Sequence, residues 1–162
     1  AMKTYWAIVA GVPKPGEGVV DAPLAKRGFG ERERERMAPV GAEEADAEAA
    51  ETEFVTLSRA AQTAAWLALR PHTGRTHQLR AHMLAIGHPI LGDPKYRTEA
   101  SAALSAGLKL QLHARRIMLP HPAGGELELE APLSPEMRAG FERFGFDAAE
   151  APDEPFARRR RL

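Results

Sequence analysis

Two apolar runs separated by a short polar link place the strongest constraint on the fold of this chain. The runs are TEFVTLSR (Thr52–Arg59) and TAAWLALR (Thr63–Arg70), and the link is Ala60–Gln62. Apolar and β-branched runs of this length around a short link predict the two strands of a β-hairpin. Because a hairpin pairs neighbouring strands in opposite directions, the stretch predicts an antiparallel sheet.

Other segments extend this sheet and add helices. YWAIV (Tyr5–Val9) predicts a strand buried on both faces, and LKLQLHARRIML and GGELELEAP predict two more strands. Three helices are predicted, at Thr76–Ile86, at Thr98–Ala106 and from Ser134 to Gly145. Strands joined by hairpins, with few helices, indicate an α+β fold with a mixed, largely antiparallel sheet and a few packed helices.

The ends of the predicted helices are marked by capping residues. Thr73 or Thr76 is the expected N-cap of the first helix, and Gly87 follows its end. The third helix begins at the sequence Ser-Pro-Glu, where a capping serine precedes a proline at the first helical position. These signals fix both helices to within a few residues.

Two segments are predicted to lie outside the packed core. Residues 28–50 are charged and almost free of large apolar residues, so we expect a solvated loop. Residues 147–162 are rich in proline and acids and end in Arg158–Arg161, so we expect a disordered tail. The predicted domain is therefore residues 1–146. Because the chain starts so close to a buried strand, we expect it to be a piece of a longer protein.

Charge is balanced overall but not locally. The chain has 22 basic and 22 acidic residues, yet residues 70–97 hold five basic residues against one acid, whereas residues 31–53 hold nine acids against three arginines. Opposite local fields persist when they lie farther apart than a Debye length, about 10 Å, so the neutral total does not exclude a basic surface suited to nucleic acid.

The absence of cysteine excludes disulfides and thiolate chemistry and indicates a cytoplasmic protein. The sequence contains no apolar stretch long enough to predict a membrane span.

The histidines of residues 69–96 do not form a metal site. His72, His77 and His82 recur every five residues, which rotates each by about 140° from the last on a helix. They therefore cannot share a face, and we expect no metal.

A turn that opens a helix explains this stretch better. A strand ends near Arg70, and Gly74 precedes a helix whose first N–H groups and positive dipole favour an anion. Arg75 can make two hydrogen bonds to a carboxylate or phosphate. From spacing alone, an internal salt bridge of Arg75 is an equally good interpretation.

The same stretch closely resembles the third signature motif of the RluA-type pseudouridine synthases. RPHTGRTHQLRAH matches P-x-T-G-R-T/S-H-Q-L/I-R-x-H, and GHPILGDPKY matches the segment G-H-P-I-x-G-D with its tyrosine. KTYWAIVAG, GVVDAPLAKR, AETEFVTLSR and LQLHARRIMLPHP resemble other segments of that family. The resemblance covers about Lys3 to Phe144.

This resemblance implies an enzyme that isomerises uridine to pseudouridine in structured RNA, either rRNA or tRNA, without cofactor or metal. Tyr5 corresponds to the tyrosine that stacks on the base and helps to remove its C5 proton, and Arg75 corresponds to the arginine that pairs with the catalytic aspartate. The implied RNA-binding residues are Arg70, Thr76, His77, Gln78, Arg80, Lys95 and Arg97.

The family's nucleophilic aspartate lies in an H-R-L-D motif that this sequence does not contain. The first hypothesis is therefore the C-terminal part of a synthase catalytic domain, inactive alone and prone to self-association through exposed sheet. The alternative is a degenerate, non-catalytic RNA-binding module, and the reading frame upstream distinguishes the two. A third reading, an unrelated domain that binds small anions, predicts no salt-dependent affinity for RNA.

Overall fold

A computed structural model describes residues 1–28 and 35–157 of the chain. Its largest element is a six-stranded sheet in which every neighbouring pair is antiparallel, with the order β2-β5-β6-β1-β7-β8. The strands are β1 Met2–Ala10, β2 Glu17–Asp21, β5 Glu51–Ala60, β6 Ala64–Pro71, β7 Leu112–Pro120 and β8 Glu126–Glu130. The predicted hairpin is β5–β6, and the predicted α+β class is confirmed.

Three α-helices lie within the described ranges. They are α1 Gln78–Ala85, α2 Glu99–Leu104 and α3 Pro135–Phe144. The Ser134 side chain caps α3 by accepting a hydrogen bond from the N–H of Met137, and Gly145 ends it in the left-handed conformation, as predicted. In the part of the chain that the structure describes, no helix is long and apolar enough to cross a membrane.

Helix α1 begins differently from the prediction. Its N-cap is His77, which adopts a left-handed conformation (φ 51°, ψ 24°) and makes no side-chain capping bond. Thr73 does not cap the helix because its hydroxyl accepts from the N–H of Glu51 and donates to Gln78. The capping role predicted for Thr73 or Thr76 is therefore wrong.

The large sheet separates two apolar cores, since successive side chains of a strand point to opposite faces. On one face, Ala7 and Val9 of β1 pack with Leu67 of β6 and with Met83 of α1. On the other face, Trp6 and Ile8 pack with Trp66, and with Met137 and Phe141 of α3. We call these the α1 face and the α3 face. The sheet is thus the middle layer of the fold.

The segment 28–50 is not a loop throughout. Strand β4 Arg36–Pro39 pairs with β3 Leu24–Arg27 to form a small second sheet. Met37 and Ala50 are buried in a cluster with Leu24 and Tyr96. This cluster also contains Ala81 of α1, so apolar packing holds the ribbon against the helix, which composition alone did not reveal. Residues 29–34 of the predicted loop lie outside the described residues.

The prediction of a disordered tail is wrong for residues 147–157. A short 3-10 helix, Ala148–Glu150, follows α3, and Phe156 is only 2% exposed. Phe156 packs in the core of the α3 face, where its ring lies 4.3 Å from the guanidinium carbon of Arg70. One aromatic residue therefore anchors the segment. The predicted Arg158–Arg161 cluster lies outside the described residues.

Candidate active site

The turn between β6 and α1 is shaped by the buried side chain of Gln78, which is 3% exposed. Its Oε1 accepts from the hydroxyl of Thr73 (2.6 Å) and from the backbone N–H of Arg75 (3.1 Å). Its Nε2 donates to the carbonyl of Glu51 (2.9 Å) and to Oγ1 of Thr52 (3.0 Å). Because both ends of the amide are engaged inside the protein, Gln78 has a structural role in this turn, and the RNA contact predicted for it stays a prediction.

A cavity of about 370 Å³ opens between this turn and strand β1. Tyr5, half-buried on the α1 face, and Arg75, on the turn, both line it. Its remaining lining includes Lys3, His77, Leu79, Arg80 and Leu112. The structure thus brings together the two residues that the sequence resemblance singled out as catalytic.

A second cavity, also of about 370 Å³, lies on the other side of Tyr5, against β7 and β8. Tyr5 and Lys3 line both cavities, so the two cavities adjoin at these residues, and we call the pair of cavities the groove. Lys3 was not predicted as a site residue from the sequence. The sequence spacing could have indicated Lys3. Residues two apart on a strand share a face, and Lys3 is two positions from Tyr5.

Arg75 has protein partners at the edge of the first cavity. Its Nε donates to the carbonyl of Ala49 (2.8 Å), and its Nη1 lies 3.2 Å from Oε2 of Glu48. The two charged side chains are 36% and 55% exposed. The salt bridge that spacing left open is therefore present. Exposed ion pairs contribute about 1 kcal/mol at most, so another anion can displace Glu48.

Arg80 also lines the cavity, but its guanidinium is held by Asp93. Its Nε and Nη2 each donate to the carboxylate at 2.8 Å, and the backbone N–H groups of Lys95 and Tyr96 donate to the same carboxylate. Burial raises the pKa of Asp93, but the hydrogen bonds from Arg80 and the two backbone groups outweigh it, so the pKa is lowered overall. Arg80 contributes positive charge from a fixed position.

His77 lies beside these cations and contacts the hydroxyl of Tyr96. Its Nδ1 lies 3.0 Å from the hydroxyl of Tyr96, and that hydroxyl accepts from the N–H of Met37. Burial lowers the pKa of His77, and the charges of Arg80 and Lys95 lower it further.

Four other predicted RNA-binding residues do not line the first cavity. Thr76 and Arg97 are exposed and Lys95 is half-buried, and none of the three lines it. Arg70 is 4% exposed and lies on the α3 face, where it donates to Thr4 (3.3 Å). Because Arg70 is buried on the opposite face of the sheet from Tyr5, the RNA contact predicted for it is wrong.

The first cavity combines an aromatic ring with three cationic side chains, those of Lys3, Arg75 and Arg80. Among the described residues, no aspartate or glutamate lines it. Such a site suits a planar base beside a phosphate. The described part of the chain also contains no group of three His, Asp or Glu side chains placed to hold a metal ion.

Comparisons with known proteins agree with this geometry. The model of a family described as RNA pseudouridylate synthase matches residues 1–85. The chain belongs to this family. The RluA-type resemblance found in its motifs is confirmed, since curated RluA proteins match over most of the chain.

Two of these relatives are dual-specificity RNA pseudouridine synthases RluA. The Salmonella typhi protein is 43% identical over 123 residues, covering 76% of this chain and 52% of the relative. The Escherichia coli K12 protein is 40% identical over 131 residues, covering 80% and 56%. A solved structure of human RNA pseudouridylate synthase domain containing 4 has a TM-score of 0.69 and 28% identity, covering 90% of this chain and 63% of that one. The chain spans about half the length of the curated relatives it matches.

Proposed function

We propose that this chain supplies the C-terminal part of the catalytic domain of an enzyme that converts uridine to pseudouridine in rRNA or tRNA. The observation that carries this proposal is the single cavity lined by both Tyr5 and Arg75. Membership of the synthase family and the RNA substrates named for its relatives support it. The absence of cysteine supports a cytoplasmic location.

In the proposed reaction the target nucleotide leaves its stack and enters the groove, as enzymes acting on a base require. The bond between N1 of uracil and C1′ breaks, the base turns, and a bond forms between C5 and C1′. The proton displaced from C5 is taken up near Tyr5, and N1 gains a proton. The isomerisation consumes no co-reactant. Lys3 and Arg80 supply charge for neighbouring phosphates.

A carboxylate must act on the ribose, and we assign it to the H-R-L-D segment of the family, which is absent from this sequence. The guanidinium of Arg75 can hold that carboxylate through two hydrogen bonds. In this chain it pairs with Glu48. We therefore propose that the 162-residue chain binds RNA but is inactive alone.

Exposed sheet supports a further proposal, that the chain by itself associates with other copies. Strand β8 is an edge strand, exposed at every position, and Leu127 and Leu129 are 39% and 50% exposed. Unpaired edges and exposed apolar side chains favour association. Light scattering over a range of protein concentrations would test this proposal, and a constant monomer mass would contradict it.

The second candidate function is a non-catalytic RNA-binding module. The observation that favours it is that Arg75 already has a carboxylate partner, Glu48, within this chain. A genomic reading frame with a genuine start codon at Met2 would support this candidate. An in-frame H-R-L-D segment upstream would support the synthase instead.

The test is to incubate the chain with unmodified rRNA and tRNA transcripts, to quantify pseudouridine by mass spectrometry, and to titrate RNA binding at several salt concentrations. We expect salt-dependent binding without pseudouridine. Arg75→Gln should weaken binding more than Arg138→Gln, a matched change at an exposed arginine of α3. Equal effects of the two variants would contradict the proposed site, and pseudouridine made by the chain alone would overturn the proposed inactivity.

A further inference from the structure

Beneath the active-site turn, Thr52 of β5 and His82 of α1 form a buried hydrogen bond. Both residues are 0% exposed, and Oγ1 of Thr52 lies 2.8 Å from Nδ1 of His82. The other ring nitrogen, Nε2, lies 2.9 Å from the carbonyl oxygen of Ala22. Because a carbonyl can only accept, Nε2 carries a proton, and in the neutral imidazole Nδ1 then accepts. The Thr52 hydroxyl therefore donates to His82.

With its proton directed at His82, the Thr52 oxygen is left to accept from Nε2 of Gln78 at 3.0 Å. Nε2 of Gln78 also donates to the carbonyl of Glu51 at 2.9 Å. Together the two contacts identify Nε2 as the donor end of the Gln78 amide. The opposite end, Oε1, then faces the backbone N–H of Arg75 at 3.1 Å. A rotated amide would set Nε2 against that N–H and Oε1 against the Glu51 carbonyl, so that a donor would face a donor and an acceptor would face an acceptor.

We propose that Thr52 and His82 are positioning residues for Arg75, acting through the orientation of the Gln78 amide. This inference rests on the proposed function of the Tyr5–Arg75 cavity. The relay runs from the carbonyl of Ala22 through His82, Thr52 and Gln78 to the Arg75 backbone, and so ties the start of α1 to β5 and to the segment before β3. Its direction is set at its two ends, by the Ala22 carbonyl, which can only accept, and by the Arg75 N–H, which can only donate.

The test compares Thr52→Val, which keeps the shape but removes the hydroxyl, with Thr52→Ser, which keeps the hydroxyl. NMR of the 162-residue chain reports two signatures, the His82 tautomer and the exchange rate of the Arg75 amide proton. We expect the wild type and Thr52→Ser to show His82 protonated at Nε2 and a protected Arg75 amide. In Thr52→Val the Arg75 amide should exchange at least about fivefold faster, the factor for a hydrogen bond of about 1 kcal/mol.

A double-mutant cycle separates positioning from a general loss of structure. Thr52→Val should weaken binding of an unmodified tRNA transcript about fivefold, and this loss should vanish when Arg75 is already glutamine. Unchanged exchange of the Arg75 amide in Thr52→Val, or an equal loss of RNA affinity in both backgrounds, would overturn the relay. If Arg75→Gln alone leaves RNA affinity unchanged, the proposed site fails, while the NMR signatures still decide the relay.

Discussion

The guanidinium of Arg75 lies 3.2 Å from the carboxylate of Glu48 while lining the same cavity as Tyr5. Glu48 lies in the segment before β5. It pairs with one nitrogen of the Arg75 guanidinium, and we assign Arg75 to the active site. Because the pair is partly exposed, it is weak enough to exchange when another anion arrives. We therefore expect the contact to compete with ligands without blocking the cavity.

Removal of the Glu48 charge should increase affinity for RNA. In Glu48→Gln, Arg75 loses its carboxylate partner and is free to bind phosphate. We expect a tighter dissociation constant for a tRNA transcript, by about two- to fivefold for an exposed pair worth up to about 1 kcal/mol. Glu44→Gln removes the same charge from the same segment, away from Arg75, and should have a smaller effect. Equal gains in the two variants would show that only net charge matters.

Loss of Asp93 should be costly for stability. Its side chain is fully buried, binds Arg80 through two hydrogen bonds and accepts from two backbone N–H groups. Asp93→Ala leaves Arg80 without its partner, and we expect the free energy of unfolding in urea to fall by about 3 kcal/mol. Asp46→Ala, which removes the exposed partner of Arg27, should change stability little. Similar stability of both variants would contradict the role of Asp93.

Stability should fall when the pH drops below the ordinary pKa of histidine, about 6.5. Burial lowers the pKa of His82 in the folded protein, although the Ala22 carbonyl and Asp21 oppose this, and the pKa of His77 is also lowered. The unfolded chain then binds more protons than the folded one below pH 6.5. The free energy of unfolding should therefore decrease with falling pH, by up to about 1.4 kcal/mol per pH unit for each histidine.

Urea unfolding of His82→Gln between pH 5 and pH 8 tests whether His82 causes this dependence of stability on pH. The variant should show a shallower dependence on pH than the wild type because one titrating group is gone. His121→Gln, at an exposed histidine in the turn between β7 and β8, should keep the wild-type slope. An unchanged slope in His82→Gln would contradict the assignment.

Glycine should stabilise the turn of the β5–β6 hairpin. Ala61 is exposed and has φ 50°, which costs a residue with a Cβ about 1–2 kcal/mol. Ala61→Gly removes that strain, and the greater freedom of glycine in the unfolded chain offsets part of the gain. We expect a net increase of up to about 1 kcal/mol in the free energy of unfolding. The same change at Ala102, inside α2, should lower it by about 0.5–1 kcal/mol.

Local sequence patterns predicted the strands and helices that depend on neighbouring residues. Apolar and β-branched runs around a short link located β5 and β6, and Ser134 with its following proline located α3, because such runs and helix capping depend on neighbouring residues. The start of α1 was misplaced because the hydroxyl of Thr73 is taken by Glu51 and Gln78. That competition involves a strand far away in sequence.

The candidate site depends on contacts between residues far apart in the sequence, which no local pattern predicts. Tyr5 and Arg75 were identified from motif resemblance, and their shared cavity depends on the pairing of β1 with β6. Arg70 was misassigned because its burial depends on Phe156, in a segment whose composition suggested disorder. The pairing of Arg75 with Glu48 likewise depends on how a segment of mixed polarity packs.

The most direct test of the central claim, that the Tyr5–Arg75 cavity receives the target uridine, is ultraviolet crosslinking of the 162-residue chain to rRNA and tRNA transcripts, with adducts located by mass spectrometry. We expect a uridine adduct on the peptide that contains Tyr5, strongly reduced in Arg75→Gln and retained in Arg138→Gln. Adducts confined to peptides that do not line the groove, or an undiminished Tyr5 adduct in Arg75→Gln, would contradict the claim.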